Sequence, residues 1–180
     1  ISYEVTKKRL NLYKLDNCFL SIGSSTDLKY PDNSFDFVYS WGVIHHSGDI
    51  QSSLKEIYRV LRKGGKSKIM IYNKDSLIVF CYWLFYSLKE FNFKRSREFI
   101  ISNNIESPGT LILSKKEFQK ILKDTGFKVQ KLSLYRDFFY ILRKYKKVYR
   151  PFIRIFAKFF SFILGGEKRI GYFMCVEIIK

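Results

Sequence analysis

His45 and His46 are the only two histidines of this chain, and they stand side by side. An imidazole titrates near neutral pH, so either ring could take a proton from a phenol, an enol or a hydroxyl. Either could instead fix its loop through hydrogen bonds, and at least one is expected to do only that. Two short clusters precede them, Ser24-Ser25-Thr26 and Ser40-Trp41-Gly42. Their hydroxyls can bond a ligand or simply their own backbone. Gly42 leaves room for a ligand to approach the main chain, and Trp41 can stack on that ligand or pack at its rim. The cysteines, Cys18, Cys81 and Cys175, are far apart, so neither a disulfide framework nor a metal site is expected. Their free thiols fit a reducing, cytoplasmic setting.

The elements that must position these residues can be read from periodicity and turn chemistry. Residues 3–15 carry Val5, Arg9 and Leu12 at helical spacing and predict a helix under way near the start. Cys18 to Ile22 reads as a short strand. Pro31-Asp-Asn-Ser34 is a turn, and Phe35 to Tyr39 reads as a buried strand that delivers Ser40-Trp41-Gly42 at its end. Asp49 can cap a helix over 50–62 with Leu54, Ile57, Tyr58 and Leu61 inward, and Gly64-Gly65 is expected to stop it. Lys66 to Tyr72 is the next strand, apolar on both faces, as a central strand covered by helices would be. Strand, helix and strand then make one right-handed βαβ unit.

Beyond it an aromatic helix is expected from Leu77 to about Phe93. Ser114 caps an amphipathic helix with Phe118, Ile121 and Leu122 inward and Gly126 as its stop. Strands follow at Lys128–Tyr135 and Gly171–Ile179, separated by a helical insert over 137–164 with a kink at Pro151. The 180 residues suit one domain, and 47% hydrophobic with 18% aromatic content excludes intrinsic disorder. The longest nearly uncharged run, Leu77 to Leu88, falls short of the ~20 residues that span a bilayer.

The charge is lopsided. Residues 1–75 hold 12 basic and 8 acidic residues, whereas residues 76–180 hold 21 and 8. Arg143, Lys147, Arg150, Arg154 and Lys158 form a basic stripe beside Phe152, Phe156 and Phe159. Such a helix suits the plane of an anionic membrane over 143–160, or is an ordinary helix with its charges in water.

Two segments together resemble a known family. Pro31-Asp-Asn-Ser-Phe-Asp-Phe-Val-Tyr-Ser-Trp-Gly-Val-Ile-His-His46 and Leu54-Lys-Glu-Ile-Tyr-Arg-Val-Leu-Arg-Lys-Gly-Gly65 are similar to class I S-adenosylmethionine-dependent methyltransferases, nearest the ubiquinone/menaquinone-biosynthesis group. The resemblance implies an α/β, Rossmann-like fold with a mostly parallel sheet and an antiparallel C-terminal strand. It implies S-adenosyl-L-methionine as cofactor, with Ser24, Ser25 and Thr26 along the adenine and Ser40, Trp41 and Gly42 near the methionine portion. The acceptor would be a small, lipophilic molecule, with His45 or His46 taking its proton. Residues 1–75 would be the cofactor side, 76–113 and 137–164 helical inserts, and 114–135 with 171–180 the closing helix and strands.

The family's Gly-rich loop after its first strand has no counterpart here, nor does the acid that binds the ribose. A serine stands at Ser24 where many relatives have an acid. On that comparison the chain starts mid-domain, with the first two strands absent, so that a central strand would have an open edge. Two other functions compete. A non-catalytic remnant would use the basic, aromatic insert to bind a partner or membrane. An RNA methyltransferase would account for the net charge of +17. Against it, Ser40-Trp-Gly-Val43 replaces the Pro-Pro-aromatic loop of base-modifying enzymes. The oligomeric state is not legible.

Overall fold

The computed structural model describes residues 2–135 and 170–180. Its elements are α1 (Ser2–Leu12), β1 (Phe35–Trp41), a single 3-10 turn (Ile44–His46), α2 (Ile50–Val60), β2 (Leu61–Tyr72), α3 (Leu77–Lys89), α4 (Arg97–Ile100), α5 (Lys115–Thr125), β3 (Lys128–Tyr135) and β4 (Phe173–Ile179). The expected insert over 137–164, its kink at Pro151 and the basic stripe over 143–160 lie outside the described residues.

The strands form one mixed sheet in the order β1-β2-β4-β3. β1 and β2 are parallel, and β4 runs antiparallel to both β2 and β3. Three strands therefore share one direction and the last strand of the chain lies between two of them. The mixed α/β sheet with an antiparallel C-terminal strand is the Rossmann-like arrangement that the sequence led us to expect. Helices α2 and α5 cover one face, where Leu54 and Ile57 of α2 and Phe118 and Leu122 of α5 bury against Ile69, Ile71, Val176 and Ile178. Each such side chain contributes roughly 1.5–3 kcal/mol by leaving water.

Local chemistry explains the helix boundaries. The Asp49 carboxylate accepts from Ser52 N–H and caps α2. At α5, Ser114 and Glu117 form a reciprocal capping box, satisfying two donors that a bare helix end would leave open. Ser76 caps α3 by accepting from Val79 N–H.

Three expectations need correction. Residues 18–22 form no strand: Phe19 is 95% and Ile22 84% exposed, with no neighbouring strand to pair with among the described residues. The β1 strand is not buried, since Phe37 and Tyr39 face away from α2 and are 53% and 59% exposed. Helix α2 ends at Val60, before the glycines, and the chain passes directly into β2. Gly64 and Gly65 instead form an irregularity early in β2. Gly64 needs its φ of +79°, and a Cβ on Gly65 would stand 2.8 Å from the Arg62 carbonyl oxygen. Strand β2 is central, as expected: α2 and α5 cover its Ile69–Ile71 side, and on the other side Met70 is 5% exposed and Tyr72 packs with the cluster that holds Ile78 and Val79 of α3. Its Met70–Tyr72 side lines an open groove of about 630 Å³, shared with Trp41, Phe173 and Cys175 and edged by Lys68 and Glu177.

The C-terminus of α2 is satisfied by a residue far away in sequence. Lys180 Nζ donates to the carbonyl oxygen of Leu61 at 2.7 Å and to Asn33 Oδ1 at 2.9 Å, and lies over the Tyr58 ring. A lysine there suits the negative end of the helix dipole. The nearer cations turn elsewhere, Arg62 to Asp36 and Arg59 to the loop before β1.

Candidate active site

The chain places its candidate residues around the carboxyl end of β1 and the amino end of α2, where an open α/β sheet forms its ligand crevice. Alternation along β1 separates the expected pair Ser40 and Trp41. Ser40 sits on the side of α2, 6% exposed, while Trp41 faces the groove and stacks on Tyr39 with ring planes 6° apart. Gly42 follows at φ +71°, donating its N–H to the Met70 carbonyl. Positive φ is a conformation that a side chain at this position would strain.

The Ser24-Ser25-Thr26 cluster divides in the same way. Ser24 Oγ accepts from Thr26 N–H and lies 2.7 Å from Thr26 Oγ1, so these two hydroxyls serve their own turn. Ser25 reaches out. Its Oγ is 3.0 Å from Ser53 Oγ, on the first turns of α2. Ser53 is fully buried and directs its proton to the Asp49 carbonyl or to Ser47 Oγ, both at 3.0 Å, so Ser25 is the donor in this pair.

The same loop has a second anchor that sequence reasoning missed. Arg59 donates to both Glu56 oxygens, to Asp32 Oδ1 and to the carbonyl oxygens of Leu28 and Tyr30. Glu56 in turn accepts from Leu28 N–H at 2.8 Å. The Arg59 guanidinium pulls the Glu56 carboxyl down to about 2. In the sequence Arg59 stood only within the Leu54–Gly65 segment that carries the family resemblance. Its spacing of three from Glu56 on a helix was the available signal.

The two histidines have opposite surroundings. His45 is fully buried and its ring lies against Tyr72, with centroids 4.3 Å apart. Among the described residues neither ring nitrogen makes a hydrogen bond. Burial first, and the neighbouring His46 second, lower its pKa to about 4; the Met70 backbone opposes this without reaching hydrogen-bonding geometry. His45 is thus a neutral packing residue. His46 is exposed, with Nδ1 held 2.9 Å from Thr110 Oγ1 and 3.0 Å from Ser107 Oγ. Its Nε2 has no hydrogen-bond partner among the described residues, which leaves one nitrogen free for a proton.

Another group at the strand end is left without a partner. Ser40 Oγ is buried and bonded to nothing among the described residues. A buried hydroxyl without a partner costs about 1–3 kcal/mol, and such groups mark places where a ligand can complete the bonding. Among the described residues no three of His, Cys, Asp or Glu converge to ligate a metal. No described helix is long and apolar enough to cross a membrane.

Known proteins resemble this chain in sequence and in fold. Residues 2–69 match the family described as "Methyltransferase domain". Over 132 residues the chain is 32% identical to the ubiquinone/menaquinone biosynthesis C-methyltransferase UbiE of Rickettsia bellii, covering 69% of this chain and 52% of the relative. The chain thus spans about half the length of the curated relatives it matches. Among solved structures, a SAM-dependent methyltransferase from Aquifex aeolicus superposes with a TM-score of 0.54 at 15% identity, covering 98% of this chain and 62% of the other. A SAM-dependent methyltransferase from Thermotoga maritima, described as a possible histamine N-methyltransferase, gives 0.56 at 16% identity, covering 96% and 69%. At these identities the two structures establish the fold.

Proposed function

We propose that this chain, whose residues 2–69 belong to the methyltransferase domain family and whose fold is that of S-adenosylmethionine-dependent methyltransferases, transfers a methyl group to a small lipophilic acceptor. The observation that carries the reading is the unpartnered, buried Ser40 hydroxyl at the end of β1, beside the positive-φ Gly42. An orphan donor and acceptor at that point fits a polar cofactor lying over the strand end. Ser25, Ser40 and Gly42 would hold the cofactor, Ser24 and Thr26 would shape the turn that brings Ser25 to it, and Trp41 would shield it from the groove side. When bound, S-adenosylmethionine supplies an electrophilic methyl group.

What the chain's own residues do follows from their positions. The Ser25–Ser53 bond and the Arg59 clasp fix the loop before β1 against α2, so that its hydroxyls and amides are presented without further ordering. His46 Nε2 takes a proton from the acceptor's hydroxyl, raising electron density on the atom that is methylated. The name of the Rickettsia relative supports carbon as that atom and a hydroquinone-like ring as the acceptor class. His45, neutral and packed on Tyr72, keeps the loop in place.

Calorimetric titration of S-adenosylmethionine into the chain, beside its Ser40→Ala variant, tests the reading. Binding by the parent that weakens in the variant is expected. No binding by the parent chain would overturn it.

A further inference from the structure

We propose that Thr110 is a positioning residue for proton transfer: its hydroxyl accepts from His46 Nδ1–H and so fixes the tautomer in which Nε2 is the base. The inference rests on the reading of His46 as the base and adds what sets its proton.

Ser107-Pro108-Gly109-Thr110 closes with Thr110 N–H donating to the Ser107 carbonyl at 3.1 Å, and Gly109 has a φ of +83°. Proline at the second position and glycine at positive φ in the third are the residues a type II turn requires. The turn is held against the site by two main-chain bonds, Leu111 N–H to the His45 carbonyl at 2.8 Å and Leu113 N–H to the Tyr72 carbonyl at 3.3 Å. It therefore presents Ser107 and Thr110 to His46 from 61 and 64 residues further along the chain.

Proton counting then fixes the tautomer. A threonine hydroxyl has one proton, and Thr110 Oγ1 directs it to the Ser107 carbonyl at 2.7 Å. Toward His46 Nδ1, 2.9 Å away, Oγ1 can act only as acceptor, so Nδ1 carries the hydrogen. Ser107 Oγ lies 3.0 Å from the same nitrogen and 3.3 Å from Thr110 Oγ1; with its own proton directed to Thr110, it is a second acceptor for that N–H. A neutral imidazole with hydrogen on Nδ1 keeps its lone pair on Nε2, the nitrogen left free. Thr110 is 2% exposed, so water does not compete for its hydroxyl. In the step itself, the acceptor's O–H bond breaks, its proton moves to Nε2, and the electron pair stays on the acceptor.

The test is a long-range proton–nitrogen NMR correlation on the nitrogen-15-labelled chain, at a pH where His46 is neutral. The His46 signals are assigned by comparison with His46→Gln. In the parent, His46 is expected to be predominantly the Nδ1–H tautomer. Thr110→Val, nearly the same shape without the acceptor, is expected to move it to the Nε2–H form, and Thr110→Ser to restore it. A parent with hydrogen on Nε2, or a tautomer unchanged in Thr110→Val, overturns the role of Thr110. This readout needs neither cofactor nor acceptor, so it is independent of methyl transfer. In turnover with a hydroquinone acceptor, Thr110→Val is expected to lower kcat roughly tenfold or more with little change in KM. Full turnover by His46→Gln overturns the inference through the base it rests on.

Discussion

Ser25 and Ser53, 28 residues apart, meet through their hydroxyl oxygens at 3.0 Å, and this contact joins the loop before β1 to the start of α2. The bond lies between two elements that the proposed cofactor would touch, so it couples loop order to ligand binding. Ser53→Ala removes the acceptor and leaves Ser25 without its anchor. We expect S-adenosylmethionine affinity to fall by roughly 2- to 10-fold, the worth of one neutral hydrogen bond, with α2 intact by circular dichroism. Unchanged affinity in calorimetry would remove Ser25 from the site.

Arg59 presents a larger version of the same coupling. Its guanidinium holds Leu28, Tyr30 and Asp32 at once, a geometry lysine cannot reproduce. Arg59→Lys is expected to increase protease cutting within residues 24–32 and to lower turnover by roughly 10- to 100-fold through misplacement. The same pair predicts an acid response. Glu56, ordinarily near 4.5, is lowered to about 2 in the folded chain by Arg59. Its contribution is therefore full above pH 4.5 and is lost as pH falls toward 2. Replacing Glu56 by Gln should flatten that part of the stability profile.

Ser40 separates stability from binding. Its buried hydroxyl has no partner, so Ser40→Ala removes an unsatisfied group and should leave folding stability unchanged or raise it by about 1 kcal/mol. Affinity for S-adenosylmethionine should drop in the same variant. Denaturant melts and calorimetry on one preparation make the comparison. A loss of stability would mean that Ser40 is structural.

His45 gives a pH signature near neutrality. The ring has a pKa of about 4 when folded and 6.5 when free. The unfolded chain therefore binds this proton more readily, and the stability due to a neutral His45 is full above pH 6.5. It declines as pH falls from 6.5 to 4, by roughly 3 kcal/mol in total. His45→Phe keeps the packing on Tyr72 and should abolish that slope in melts taken across the range.

Much of this arrangement was written in local signals. Asp49 and Ser114 announced their helices because caps act within one turn, and the alternation of Lys128–Tyr135 marked β3 to the residue. Other expectations failed where the deciding partner was distant. Residues 18–22 have strand-forming side chains, but strand propensity is realised only beside a neighbour. Gly64 and Gly65 looked like a helix stop, yet the parallel pairing of Leu61 with Phe35 had already claimed the backbone for the sheet. The histidine pair was visible as a pair. Which of the two was buried depended on Tyr72, and the hydrogen-bonding of the other on a turn 64 residues away. No periodicity carries such information.

The position of β4 has a consequence for how the chain acquires its shape. Among the described residues β3 pairs only with β4, and β4 is also what joins β3 to β2. During synthesis, the segment 128–135 is therefore made long before anything exists for it to pair with. The parallel β1–α2–β2 unit can form early from nearby contacts, but the sheet becomes continuous only when residues 173–179 insert between β2 and β3. Sheets closed by such distant contacts form slowly and keep strand edges available to other molecules while they wait. Yield at biosynthesis should therefore be limited by this insertion step and by the time the facing edges of β2 and β3 spend unpaired.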